Sequence, residues 1–186
     1  MAGTTVTLAQ VKCQLHDKEA NLRRMSSVVR RTKGRVVVFP ELNLTGYMPR
    51  DDLFKLSEPM DGPSIKAVRK LAKETKKDIV FGAPVRDENA PGHIFNSCIL
   101  ASGDGRLFRY DKMYLPNFGP FEERVFFPPG RDAVVAQGMH ARLAQGLIPV
   151  AGFGAPPAAG EPQFEPLEKE APVRREPVRV CFPQGV

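Results

Sequence analysis

RVVVFPELNLTGY, residues 35–47, is the stretch that decides how this 186-residue chain folds. Val36, Val37, Val38 and Phe39 are consecutive strand formers whose polarity follows neither a two-residue nor a helical period. That is how a strand covered on both faces reads. Pro40 removes a ladder donor and stops the strand, so Glu41 leaves the sheet at its carboxyl edge, where α/β folds bind ligands.

The flanking sequence supplies the layers for such a strand. Leu22, Met25, Val28 and Val29 fall at helical spacing and predict a helix over residues 17–33, with Asp17 as its cap and Gly34 as its stop. Ile65, Val68, Leu71 and Ala72 predict a second helix over residues 64–76, and residues 50–56 a short turn or helix. Strands are expected at 5–11, 35–39, 78–82, 94–101 and 107–110, the last two joined by the hairpin signal Asp104-Gly105. Val134 and Val135 begin another strand, residues 142–150 a further one, and VRVC ending at Cys181 a short one. The expected class is α/β.

RYDKMYLPNFGPFEERVFFPPG, residues 109–130, puts Lys112 just past a strand, followed by a loop crowded with proline and phenylalanine. A loop that apolar forms the wall of a site rather than idling in solvent.

With these two segments on the page, the chain resembles the carbon-nitrogen hydrolases of the nitrilase superfamily. FPELNLTGY is similar to the family's glutamate motif, at Glu41, and YDKMYLPNFGPFEE to its lysine motif, at Lys112, with a separation between the two that suits the family. Glu123 falls where many members hold a second, positioning glutamate. Asn96 and Ser97 stand where the family carries an Asn-Ser or Asn-Ala pair. The pairing of LTGYMPRDDLF with LPNFGPFEERVFFPPG is most similar to the amidase branch and to the glutaminase domain of NAD synthetases. The resemblance runs from about residue 5 to 135. It implies a nitrilase-type αββα sandwich, incomplete here at roughly the first half to two thirds of the domain. It also implies a Glu-Lys-Cys mechanism on a small carboxamide, without a cofactor, and a homo-oligomer for the intact fold. Tyr47, Glu123 and Phe118 are the implied positioning or substrate-binding residues; the NAD-synthetase type usually carries Tyr where this chain has Phe118.

The chemistry behind such a triad is acyl transfer from a poor leaving group. A thiolate attacks the amide carbon, a carboxylate takes the thiol proton and returns it to the leaving nitrogen, and an ammonium stabilises the negative charge of the tetrahedral intermediate. A strand ending in Cys-(Tyr or Glu)-Asp is expected soon after FFPPGRDAVV, and RLAQGLIPVAGFGAPPAAG contains no Cys. The candidate nucleophile is Cys181, farther beyond Lys112 than the family's usual gap and without the following Asp. Two explanations stand: a reading frame truncated or shifted after about Leu143, or a divergent member with a real tail. In either case little hydrolysis is expected, and a non-catalytic scaffold is the alternative.

Residues 149–186 contain 8 Pro and 4 Gly, which predicts a disordered tail after a domain over residues 1–148. Cys13, Cys98 and Cys181 have neither metal-type nor disulfide spacing, and His16, His93 and His140 are scattered, so no metal site is expected. The net charge of +6 is concentrated in LRRMSSVVRRTKGR and VRKLAKETKK, without interleaved aromatics, which predicts solvated helix faces rather than nucleic-acid binding. No apolar run spans a membrane and no leader is visible, giving the expectation of a cytoplasmic protein.

Overall fold

The computed structural model describes residues 4–47, 49–90, 92–145 and 179–181. Most of the segment read as a disordered tail thus lies outside the described residues. A six-stranded sheet carries the fold, and its strands are β1 (Thr5–Leu8), β2 (Val36–Val38), β3 (Asp78–Arg86), β4 (Ile94–Ala101), β5 (Leu107–Asp111) and β8 (Arg179–Cys181). They lie in the order β5-β4-β3-β2-β1-β8. β1 pairs parallel with β2 and β8, and β2 parallel with β3, while β3–β4 and β4–β5 are antiparallel. A separate antiparallel pair joins β6 (Val134–Gln137) to β7 (Arg142–Gln145).

One face of the large sheet is covered by helices α1 (Lys18–Arg31) and α3 (Pro63–Thr75). Between them the expected short element is a 3₁₀ turn, Arg50–Asp52, running into the one-turn helix α2 (Leu53–Leu56). Met25, Val28 and Val29 of α1 and Ile65, Val68, Leu71 and Ala72 of α3 pack on Val37, Ile79, Phe81, Ala83, Val85, Ile99 and Ala101 in the principal core. The odd-numbered positions of β3 and β4 thus face the helices, as the two-residue strand period requires. The opposite face carries Val80 and Leu100, on which Ala136 packs with partly buried Val38, Cys98, Phe108, Val134 and Leu143. Layers α, β and β of the expected sandwich are therefore present among the described residues, and the class is α/β.

Asp17 caps α1 through a bond from the Ala20 N–H to its Oδ1, at 2.8 Å. The expected stop at Gly34 is not a helix cap: α1 ends at Arg31, with Thr32 already extended. Gly34 serves instead to let the chain pass β1, because a Cβ there would run into the Thr7 side chain. β3 continues beyond the expected end at Gly82, through Pro84 to Arg86. The ladder tolerates this proline because its nitrogen points to the side that β2 has already left, where Glu58 N donates to Pro84 O.

Candidate active site

Glu41 reaches the sheet edge through a turn built on strained backbone. Leu42 has φ +48°, a left-handed conformation unusual for a branched apolar residue, and the N–H groups of Thr45 and Gly46 both donate to Leu42 O. Leu44 N donates to Gly82 O at 3.0 Å and so lays this turn across β3. A Cβ on Gly82 would meet the Leu42 nitrogen and come within 2.9 Å of Glu41 Cα, so only glycine allows the approach. Leu42 itself is fully buried with Leu53, Ile94, Leu115 and Phe127, which anchors the turn to the aromatic loop.

That loop leaves the sheet at Lys112 and returns to it, since Gly130 N donates to Lys112 O at 2.9 Å. Between these points Glu123 opens the short helix α4 (Glu123–Phe126), its N–H bonded to Pro116 O. The Lys112 ammonium lies 2.8 Å from Glu41 Oε1, 2.8 Å from Glu123 Oε2 and 3.0 Å from Glu123 Oε1. Tyr47 donates its hydroxyl to Glu123 Oε1 at 2.7 Å, and Asn96 Nδ2 donates to Glu41 Oε1 at 2.7 Å. Glu123 is 1% exposed, while the Glu41 side chain is 44% exposed. One carboxylate is thus a buried support and the other faces outward.

Burial alone would lower the Lys112 pKa; the bonds to Glu123 and Glu41 outweigh it and hold the ammonium above its ordinary value. Burial pushes the Tyr47 phenol up, and the Glu123 carboxylate that accepts its hydrogen bond pushes it further, so it stays a donor. Cys98 lies two residues from Asn96 on the same face of β4; burial first and the Glu41 charge second push its thiol up to about 11.

Four of the six sequence-predicted residues, Glu41, Lys112, Glu123 and Tyr47, come together in one hydrogen-bonded cluster. Phe118 stands 57% exposed, edge-on to Phe121 with ring centroids 5.7 Å apart, and contributes to the loop rim. Cys181 ends β8 in register with Thr7, and Thr7 is in register with Val37. The strand reading of VRVC therefore holds, but its last residue is level with the middle of β2, well before Glu41. Asn96 has no role that its residue type alone assigns, although an Asn-Ser pair inside the otherwise apolar FNSCIL is a visible anomaly in a strand. Among the described residues no group of three His, Cys, Asp or Glu side chains could hold a metal ion, and no helix is long and apolar enough to cross a membrane.

Known proteins are similar to this chain over about three quarters of its length. A glutamine-dependent NAD(+) synthetase of Thermotoga maritima is 34% identical over 143 residues, covering 74% of this chain and 24% of that protein. A probable nitrilase of Schizosaccharomyces pombe is 28% identical over 145 residues, 74% of this chain and 52% of its own length. A CN-hydrolase superfamily protein of Xanthomonas campestris, solved with an arsenic adduct in its active site, matches with a TM-score of 0.65 at 25% identity. That match covers 75% of this chain and 51% of the other. The chain thus spans about a quarter to a half of the length of the relatives it matches. The Carbon-nitrogen hydrolase family profile matches residues 5–151, and the chain belongs to that family.

Proposed function

We propose that this chain carries the proton-shuttling and charge-stabilising half of a site for hydrolysing small carboxamides. The observation that supports it best is the Lys112 ammonium held within 3.0 Å of two carboxylates, one buried and one open, at the carboxyl edge of the sheet. In this reading Glu41 is the base: it takes the proton of an attacking thiol and delivers it to the leaving nitrogen as the C–N bond breaks. Lys112 is the fixed positive charge for the oxyanion. Glu123, with Tyr47 donating to it, keeps that ammonium aimed and charged. The LTGY and LPNFGPFEE segments support a carboxamide over a nitrile, and Phe118, which offers no hydroxyl, argues against glutamine as the preferred amide.

A second reading, a scaffold without turnover, is favoured by the register of β8, which leaves Cys181 level with Val37. Ammonia release over a panel of ω-amides tests both. Little or no turnover is expected from this chain, alongside weak carboxamide binding that Glu41→Gln and Lys112→Ala remove. Turnover abolished by Cys181→Ala would make Cys181 the nucleophile and overturn the scaffold reading; absence of any amide binding would overturn the site assignment itself.

A further inference from the structure

We infer that Asn96 is a positioning residue for the Glu41–Lys112 pair: it pins Oε1 of Glu41 and thereby assigns proton transfer to Oε2. The inference rests on the carboxamide-site reading above and names a part of the site that the three-residue motif does not contain. Asn96 is 4% exposed in the middle of β4, opposite Pro84. It holds both functional residues at once. Its Nδ2 donates to Glu41 Oε1 at 2.7 Å, and its main-chain oxygen accepts from Lys112 N at 2.9 Å. A carboxylate facing the amide accepts only, so the nitrogen of Asn96 must be the atom turned toward Glu41.

Lys112 Nζ bonds the same oxygen, Oε1, at 2.8 Å. An oxygen with two donors already on it is the poorer place for an incoming proton. Oε2 is left as the accepting atom on a side chain that is 44% exposed. Without Asn96 this distinction would be lost, because the last torsion of a glutamate is broad and nearly two-fold and a single fixed ammonium bonds whichever oxygen is turned toward it. The strand supplies what the half-exposed Glu41 lacks: a rigid, buried donor that costs no reorganisation when charge moves. No neighbouring residue type does the same. Gln is too long for the gap that Asn96 spans, Ser too short, and an ionised Asp would set like charges against each other.

Two measurements on the full chain test this. The first needs no substrate: the side-chain amide resonances of Asn96, assigned by their loss in Asn96→Asp, are compared in the parent protein and in Glu41→Gln. One donor proton is expected well downfield in the parent and displaced in the variant; an unmoved resonance would overturn the contact. The second follows propionamide binding by NMR across pH in Asn96→Ala and Asn96→Asp. Loss of one hydrogen bond to a charged group predicts about tenfold weaker binding in Asn96→Ala at every pH. Asn96→Asp should be at least as weak near pH 8, where two carboxylates repel, and recover as pH falls and the pair takes up a proton that serves as the missing donor. A merely structural role would give Asn96→Asp a pH-independent loss, and that result would overturn the inference. If the parent protein bound no propionamide at any pH, the carboxamide reading would fall, while the resonance comparison would still decide the Asn96–Glu41 contact.

Discussion

Glu123 and Glu41 share one ammonium and differ in surroundings, and the difference decides what each substitution does. Glu123 is almost wholly buried, so Lys112→Ala would leave an uncompensated interior carboxylate and is expected to destabilise the fold by about 3 kcal/mol in urea unfolding. Glu41→Gln removes a half-exposed charge and is expected to cost less than about 1 kcal/mol. Equal losses would mean that the buried pair is not the support it is taken to be. The same asymmetry sets the pH response. The Lys112 pKa is raised in the folded state, so its contribution to stability is fully present below the unfolded value of 10.5 and disappears as pH rises through the folded value. In Glu123→Gln that alkaline limb should move to lower pH, because one of the two anions holding the ammonium is gone. Glu41 and Lys112 were legible in the sequence because each follows a strand; Glu123 was legible only through the resemblance of its segment to the family's lysine motif. Gly82 was not, because its importance comes from the Glu41–Leu42 turn, far earlier in the chain, resting on it.

Elements far apart in the chain are joined by two buried carboxylates that no periodicity announces. Asp78, the first residue of β3, is fully buried and accepts from Ser102 Oγ, Gly103 N and Met139 N on Oδ1, each at 3.0 Å, and from His140 N on Oδ2 at 2.6 Å. It therefore ties the β4–β5 hairpin and the β6–β7 turn to one strand. Three of its four donors are main-chain groups of turns, which carry no residue signature, and this is why the strands were readable in advance but not the latch between them. Asp78→Ala strands four donors and is expected to cost about 3 kcal/mol. Cys98, which partly buries its side chain in the cluster under β6 and β7, should then react with a thiol reagent at least about tenfold faster, while Cys13, held beside Asn43, keeps its rate. Peptide mapping of the labelled chain reads both sites, and an unchanged Cys98 rate would show that β6 and β7 are held by something other than Asp78. Glu58 does the corresponding work on the helical side, accepting from Lys18 Nζ, Ser64 N and Ser64 Oγ. Burial opposes its charge, but these bonds prevail and lower its pKa, so its contribution is present above the unfolded value of 4.5 and is lost as pH falls through the folded value. Glu58→Gln should flatten the acid limb of the stability curve.

Among the described residues the two faces of the large sheet are unequally covered, and stability should divide along that line. Of the described residues, seventeen are buried in one cluster on the helical face, drawn from both long helices, from β2, β3 and β4, and from the segments that follow β1 and β2. On the other face the described residues bury Val80, Leu100 and Ala136, with a further five only partly covered. At roughly 1.5–3 kcal/mol for each large apolar side chain fully removed from water, the first face holds most of the stabilisation and the second a small share. Helix periodicity made the first face readable in advance; the second depends on pairing between β6 and β7 across the inner layer, which strand propensity alone does not reveal. Amide exchange monitored peptide by peptide should therefore show two tiers. Amides of β2, β3 and β4 are expected to exchange only by global unfolding, with a denaturant dependence equal to that of the whole transition. Those of β6 and β7 should exchange through a smaller opening, with a weaker dependence, since releasing them exposes little apolar area. Because the site is built on β2, β3, β4 and the Lys112 loop, its geometry should survive that opening. A single cooperative tier covering β6 and β7 would show instead that the inner layer is an integral part of the core, and would place the Asp78 latch among the determinants of the site.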